Sequence, residues 1–532
     1  MARRVRAWFV MKIVTSHQMR ELDRRTIHEA GVPGKTLMER AGAGVVSVME
    51  DTFGVLKGKT VTIFCGKGNN GGDGFVVARL LHQRRSDVQI CLLAHTKDLK
   101  GDAKLMYQRF VKGAGRSKVL SSPSPDRVHR LVRDSHVLVD ALLGTGTSSP
   151  VTGPYQEAIQ AMNLSGAPIV AVDLPSGIDA DTGDTLGTVI QADLTVTFGN
   201  PKLGLFLGAG IDHAGRVHCV DIGIPSQYVE DLPVSVEMLT PTMIRPWLPK
   251  RPASSHKGTF GHAGIIAGSS GKSGAAALAA KAALRAGAGL VTVGTPSSVQ
   301  ASVAWGIPEV MTLPLPETAD HTLSRDALPI LQTFLESRSS IGIGPGLSTQ
   351  TETADVVRTL IDQCDRPLII DADALNALAG HTSLLQSRPI SPILTPHPGE
   401  MARLLGESTA ATVNRNRLGI AQDFARAHSS VVVLKGARTI VAHPEGATLI
   451  SPTGNPGMAT AGTGDVLTGI LTGLLAQGVS PWEAAQSGVF LHGLAGDLAA
   501  RVYGYPSLMA GDLLAYLPQA ITQVLHAVAP RP

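Results

Sequence analysis

Gly66-Lys67-Gly68-Asn69-Asn70-Gly71-Gly72-Asp73-Gly74 follows an apolar run at 61–65 and precedes a helical pattern at 74–83. A strand, a glycine-rich turn and a helix in that order form the unit whose backbone N–H groups can face phosphate oxygens. Another apolar run lies at 88–93, and those at 137–140, 169–173 and 194–198 run into Asp or Gly at their C-terminal ends. Short apolar runs alternating with helices predict a parallel sheet covered on both faces. Its ligands should bind beyond the carboxyl ends of the strands. The opening loop is not a G-x-G-x-x-G dinucleotide fingerprint, because its spacing and charge differ.

A second, unlike loop lies far along the chain: Asn455-Pro456-Gly457-Met458-Ala459-Thr460-Ala461-Gly462-Thr463-Gly464-Asp465. It belongs to another α/β succession that begins at 261–268 and continues through runs at 341–344, 367–371, 393–395 and 431–434. Helical patterns at 464–476, 481–501 and 511–527 close the chain. Between the successions stand Pro225, Pro233, Pro241, Pro246, Pro249 and Pro252, which disfavour regular structure. The expected organisation is an extension at 1–11, an α/β domain at 12–225, a linker at 226–249 and a second α/β domain at 250–528.

The bulk properties agree with two domains, since 532 residues exceed what one core usually supports. A net charge of +4 without a long Lys/Arg run disfavours nucleic acid or a membrane surface as partner. No uncharged apolar run approaches the ~20 residues of a membrane span. Cys65, Cys91, Cys219 and Cys364 are scattered, without C-x-x-C spacing, and read as reduced thiols of a cytoplasmic protein. The first residues, MARRVRAWFV, resemble a signal peptide only superficially, because Lys12 interrupts the apolar run and no small-residue cleavage site follows. Met11 is an equally good start.

Three further loops fall where strands of the first sheet should end. They are Asp140-Ala141-Leu142-Leu143-Gly144-Thr145-Gly146, Gly153-Pro154-Tyr155 and Asp173-Leu174-Pro175-Ser176-Gly177. Asn70, Asp140 and Ser176 offer hard oxygens of low total charge, which suits a monovalent cation better than a soft metal. Taken one at a time, these residues read equally as helix and turn caps. GNNGGDG, VDALLGTG, GPY and VDLPSGID together resemble the NAD(P)H-hydrate epimerase domain over about 12–225. The resemblance implies a Rossmann-like three-layer α/β/α fold and interconversion of the two epimers of hydrated NADH or NADPH. It also implies K⁺ held by Asn70, Asp140 and Ser176. Hydrate contacts would come from Asn69, Asn70, Gly71, Gly72, Asp73, Gly144, Thr145, Gly146, Tyr155 and Asp173, with Asp173 the candidate for proton transfer. One departure is Thr147-Ser148-Ser149-Pro150, where the family usually has an Arg before the proline.

In the second half, Gly462, Thr463 and Gly464 open a helix, and their amides can stabilise charge on a transferring phosphoryl group. Asp465 follows directly and is placed to take a proton from an attacking hydroxyl. Polar groups also end three predicted strands, at Asp371-Ala372-Asp373-Ala374-Leu375-Asn376, Thr395-Pro396-His397-Pro398-Gly399-Glu400 and Lys435-Gly436-Ala437-Arg438-Thr439. No Walker A loop occurs at these positions. Together with His256-Lys257-Gly258 and Gly342-Ile343-Gly344-Pro345-Gly346-Leu347, these motifs resemble the ribokinase-like family. More narrowly, they resemble its ADP-dependent NAD(P)H-hydrate dehydratases, over about 250–525.

The resemblance implies that ADP, carried with Mg²⁺, drives dehydration of the S epimer to NAD(P)H with release of AMP and phosphate. ADP contacts would come from Lys435, Gly436, Ala437, Arg438, Thr439, Asn455, Gly457, Ala459, Thr460 and Gly464. Hydrate contacts would come from Gly346, His397, Pro398, Gly399, Glu400 and Asp465. Asp371 and Asp373 stay open between site contacts and caps of the short helix after them.

The two halves together resemble bifunctional NAD(P)H-hydrate repair enzymes, with NADH and NADPH hydrates and ADP as small-molecule partners. A cytoplasmic homo-oligomer is expected. Two other readings compete: a ribokinase-like kinase for a vitamin-precursor alcohol, and a first domain that only binds ligand.

Overall fold

The structure, a computed structural model, describes residues 11–527 apart from 116–117, 234–235, 387 and 407–408. The extension expected at 1–11 therefore lies outside the described residues except for Met11. The chain divides into two compact units that meet in sequence between residues 234 and 235.

The strands of the first unit are Met11–Lys12 (β1), Thr60–Cys65 (β2), Asp87–Leu92 (β3), Val119–Ser121 (β4), Val137–Ala141 (β5), Ile169–Val172 (β6), Leu194–Phe198 (β7) and Arg216–Val220 (β8). Strands β2 to β8 form a seven-stranded sheet in the order β4-β3-β2-β5-β6-β7-β8. Every pairing in it is parallel. The order reverses between β2 and β5, the point where a doubly wound sheet leaves a crevice beyond its carboxyl ends. Cys65 pairs with Ala141 there, so both strands end level and release their loops side by side. Alternate strand residues feed two cores: Ile63, Val139 and Val170 pack with Phe75 and Val76, while Phe64, Leu138 and Ala171 pack with Ile159 and Met162.

The helix after β2 runs Asn69–Gln83, so it begins inside the glycine loop rather than after it. Glycine is a poor helix former, but here backbone proximity decides. A Cβ on Gly71 would lie 2.0 Å from the Gly66 carbonyl oxygen, and one on Gly74 would lie 2.7 Å from the Ala141 Cβ. These two glycines let a helix turn sit directly on the strand ends.

The second unit contains Val236–Met238 (β9), His262–Ile266 (β10), Leu290–Pro296 (β11), Met311–Leu315 (β12), Ser340–Ile343 (β13), Leu368–Ile370 (β14), Ile393–Leu394 (β15), Val431–Leu434 (β16), Ile440–Ala442 (β17) and Thr448–Ile450 (β18). Their order is β9-β18-β17-β16-β15-β14-β13-β10-β11-β12. Only β16–β17 and β17–β18 pair antiparallel. The stretch expected as a linker instead carries helices Ser226–Glu230 and Pro241–Ile244 and strand β9, which pairs with β18. Its prolines do not break these elements because Pro241 opens a helix, where no N–H bond is lost.

Helix Thr463–Ala476 is apolar nearly all round and buried from Val466 onward. A Cβ on Gly469 would lie 2.0 Å from the Ala279 carbonyl oxygen of helix Ser273–Arg285. That close approach fixes the axis whose N-terminus carries Gly462–Asp465. Both units thus have the expected α/β class, with an all-parallel sheet in the first and a mostly parallel one in the second.

Candidate functional site

A cavity of about 660 Å³ opens at the β2/β5 crevice of the first unit. Asn69, Asn70, Asp73, Gly144, Thr145, Gly146, Tyr155 and Asp173 line it. Gly71 and Gly72 do not; they are buried beneath it as packing positions.

At one end lies a set of oxygen donors. The Ser176 hydroxyl donates to Asp140 Oδ1 at 2.6 Å, and the Ser176 amide donates to Oδ2 at 2.8 Å. The Leu143 amide donates to Ser176 Oγ at 2.9 Å. Asn70 Nδ2 donates to the Leu143 carbonyl at 2.8 Å, while Asn70 Oδ1 is buried without a partner. Asp140 is fully buried, and burial pushes its carboxyl up to about 6 against the Ser176 and Leu142 hydrogen bonds. The orphaned Asn70 oxygen beside a buried carboxylate is a donor set that fits a monovalent cation.

At the other end sits a lysine that no sequence motif marked. Lys202 is 1 % exposed; its Nζ donates to Asp173 Oδ1 at 2.5 Å, to Thr197 Oγ1 at 3.1 Å and to the Phe198 carbonyl at 3.0 Å. Asp173 Oδ1 also accepts from Thr197 Oγ1 and the Phe198 amide. Asp173 holds φ at +69°, a costly conformation for a non-glycine residue that recurs at functional sites. Two more carboxylates, Asp23 and Asp73, line the same cavity. Burial first, then the Asp173 and Asp23 charges, push Asp73 well above the usual range. Burial raises Asp23 to about 6 against the attraction of Lys202. Asp23 lies on helix Ser16–His28, outside the strand-end motifs.

In the second unit, the loops after β14, β15 and β16 meet the N-terminus of helix Thr463–Ala476. Lys435 Nζ donates to Asp371 Oδ1 at 2.7 Å and lies 3.6 Å from Glu400 Oε2. Thr468 Oγ1 donates to Asp371 Oδ2 at 2.6 Å. Asp371 is therefore more than a helix cap. Burial alone would raise its carboxyl, but the charge and hydrogen bond of Lys435, aided by Thr468, hold it below the usual range. Burial likewise opposes the charged form of Lys435, yet Asp371 and Glu400 keep it raised.

Gly464 faces this pair: a Cβ there would stand 3.5 Å from Lys435 Nζ and 3.8 Å from Asp371 Oδ2. Gly462 adopts the left-handed conformation at the helix N-cap, leaving the first amides open. Asp465 lies in the first helical turn, and burial, then Asp371, push its carboxyl up to about 7 against Lys435.

The remaining expected contacts lie on the loops and helix N-termini that follow, and each has its own hydrogen bonds. His397 caps helix Pro398–Leu404: its Nδ1 accepts from the Gly399 amide at 2.9 Å, and Glu400 accepts from the His397 amide at 2.7 Å. Burial first, against Glu400, holds His397 below its usual range, and the accepting Nδ1 makes the ring neutral. Gly346 accepts from Ser269 Oγ at 2.7 Å, beside Lys272, which pairs with Asp373.

Arg417, 9 % exposed, donates to the carbonyls of Leu434, Lys435 and Ala437 and thereby braces the loop of Gly436 and Thr439. Arg438 turns away to the Pro452 carbonyl. Asn455 is tied to Asp497 at 2.9 Å and accepts from Gly457. Thr463 Oγ1 donates to the carbonyls of Met458 and Thr460, which joins the segment around Ala459 to the anion-hole turn. His492, missed in the sequence, is half-buried, and loss of solvation lowers it to about 4; its Nε2 donates to the Thr463 carbonyl at 2.9 Å. Arg417 and His492 carry no local motif, so only the packed helices could reveal them.

Each unit thus sets a loop and a helix N-terminus beside carboxylates and an ion-paired lysine, an arrangement that suits an enzyme site for an anionic substrate. Residues 34–204 match the YjeF-related protein N-terminus and residues 263–519 match NAD(P)H-hydrate dehydratase. The bifunctional NAD(P)H-hydrate repair enzyme Nnr of Moorella thermoacetica is 47% identical over 520 residues, covering 97% of this chain and 98% of its own length. That of Escherichia coli K12 is 38% identical over 498 residues, covering 92% and 91%. A solved ADP/ATP-dependent NAD(P)H-hydrate dehydratase from Bacillus subtilis, co-crystallised with ATP and Mg²⁺, is 33% identical with a TM-score of 0.48, covering 54% of this chain and 97% of its own. The chain belongs to the bifunctional NAD(P)H-hydrate repair enzymes. It joins an NAD(P)H-hydrate epimerase domain to an NAD(P)H-hydrate dehydratase domain.

Among the described residues no helix is long and apolar enough to cross a membrane, and all four cysteines are free.

Proposed function

We propose that the first unit interconverts the R and S epimers of NADH and NADPH hydrates and that the second dehydrates the S epimer with ADP. The observation that carries the second step is Asp465 in the first turn of a buried helix, beside Asp371, Lys435 and the open amides of Gly462–Gly464. A carboxyl near 7 is ionised often enough at neutral pH to act as base, and basic enough to accept a hydroxyl proton. Asp465 removes the proton of the ring hydroxyl, which attacks the terminal phosphate of ADP brought in as its Mg²⁺ complex. The amides and Lys435 stabilise the charge on the transferring group. AMP departs as the phosphoryl group is transferred. The phosphorylated oxygen leaves C6 with its bonding pair as phosphate while the N1 lone pair forms N1=C6. Loss of one C5 proton to water then restores the C5=C6 double bond of the reduced ring.

In the first unit Asn70, Asp140 and Ser176 would hold K⁺, which supplies a fixed positive charge balancing Asp140 and tying the 142–146 loop to the site. Asp173 is the proton-transfer group, held in place by Lys202. Racemic hydrate, analysed on a chiral column with and without ADP, tests the whole scheme. Both epimers should disappear with ADP as the reduced-nicotinamide absorbance recovers, and without ADP the epimers should equilibrate. No recovery with either ADP or ATP would remove the dehydratase reading. Persistence of the R epimer in the presence of ADP would remove the epimerase reading.

A further inference from the structure

Epimerisation of a hydrated nicotinamide ring inverts the carbon that bears the hydroxyl, C6, which lies beside the ring nitrogen N1. No hydrogen on C6 is acidic enough for simple deprotonation. Inversion therefore requires that a bond from C6 to oxygen or to N1 break and re-form. The cavity of the first unit is lined by four carboxylates on four different elements: Asp23 on helix Ser16–His28, Asp73 on helix Asn69–Gln83, Asp102 on helix Gly101–Ala114 and Asp173 after β6. One buried lysine serves them, and it is committed to Asp173 at 2.5 Å.

These groups are not equivalent. Asp173 Oδ1 accepts from Lys202, Thr197 and the Phe198 amide, a set of donors that favours the carboxylate. Among the described residues, no hydrogen bond is made by the side chain of Asp73 or of Asp23. Both line the cavity that also holds Arg20, Lys67 and Lys202. Burial, then the charges of Asp173 and Asp23, hold Asp73 above the ordinary carboxylate range. Two carboxyl groups in unlike surroundings, one bound by a buried lysine and one without a hydrogen bond, are the two partners that a leaving and an entering water need.

We propose that the epimerase reaction breaks and re-forms the C6–O bond, with Asp73 as the acid for the departing hydroxyl and Asp173 as the base for water entering the opposite face. This inference rests on the epimerase reading above. In the forward direction the C6–O electron pair leaves with the oxygen, which takes the Asp73 proton and departs as water. The N1 lone pair forms the N1=C6 iminium. Water then adds to the other face of C6, the double-bond pair returns to N1, and the surplus proton passes to Asp173. The net change is one proton moved from Asp73 to Asp173, restored by exchange with water in the cavity. In the reverse direction the two residues exchange roles. Lys202 is a positioning residue that fixes the Asp173 carboxylate at 2.5 Å, and Asp23 lines the same cavity.

The test uses the full chain in ¹⁸O-labelled water without ADP, starting from the pure S hydrate. Epimer composition is read by chiral chromatography and oxygen content by mass spectrometry. The expected result is one solvent oxygen in each R molecule formed in the earliest turnovers. R hydrate that retains the original oxygen would overturn the proposal in favour of C6–N1 opening. Absence of any epimerisation above the uncatalysed rate would instead overturn the epimerase reading itself.

Asp73→Asn and Asp173→Asn should each lower inversion and label uptake together by about 10²-fold or more. Near-normal inversion in Asp73→Asn would remove that residue from the acid role. Lys202→Met should lower kcat for epimerisation more than it raises KM, because Asp173 loses the group that orients it. A change confined to KM would show Lys202 to be structural only.

Discussion

Both units place a glycine-containing turn beyond the carboxyl ends of a parallel sheet, yet they differ in which group carries the proton. In the first, the lysine is fully buried and bound to one carboxylate, leaving two others to share like-charge repulsion. In the second, Lys435 neutralises Asp371 and Glu400, leaving Asp465 alone near 7 at a helix N-terminus. The first arrangement suits moving protons to and from a neutral ring. The second suits generating one base next to an anion hole. The same backbone device therefore supports different chemistry according to how many carboxylates each cation must serve.

The contrast can be broken most decisively at Asp465. Asp465→Asn should cut ADP-driven recovery of reduced-nicotinamide absorbance by about 10²–10⁴-fold while ADP binding and epimerisation persist. A matching fall in epimerisation would show that the two sites do not act independently. Lys435→Met should cost the second unit about 3–5 kcal/mol in a denaturant titration, because Asp371 would be left buried without its cation. The wild-type dehydration rate should rise as pH passes upward through about 7, since Asp465 works only when ionised and its charge is lost below that value. Lys435→Met should shift that limb to higher pH, because the cation that lowers Asp465 is gone.

Replacing K⁺ by a bulky organic cation should lower epimerisation by about tenfold, roughly 1.4 kcal/mol, and leave dehydration of the S epimer unchanged. The smallest effect is expected for His397→Ala, which removes an N-cap worth about 1 kcal/mol and is read as a modest drop in thermal midpoint.

Much of this architecture could be read from short stretches. Strands β2, β5, β6, β7 and β16 are apolar runs buried on both faces, and a continuous run survives any register. The edge strands β4 and β12 and the short β9 went unread because they are brief and carry polar or proline residues. The start of helix Asn69–Gln83 was misplaced since glycine propensity opposes it and only contact with the strand ends compensates. Among site residues, Asn70, Asp140, Asp173, Ser176, Lys435 and Asp465 sit in motifs at strand ends. Lys202, Asp23, Arg417 and His492 have no such context.

The sequence by itself determined two α/β units, the loops that line their sites and the family to which those motifs point. These are local properties: hydrophobic period, turn residues and their order along the chain. Tertiary structure alone decided which carboxylates share a cation, that Gly71 and Gly72 pack instead of lining the cavity, and that Asp465 is poised near 7. Protonation depends on burial and on charges brought together from distant segments, and no spacing along the chain encodes those distances.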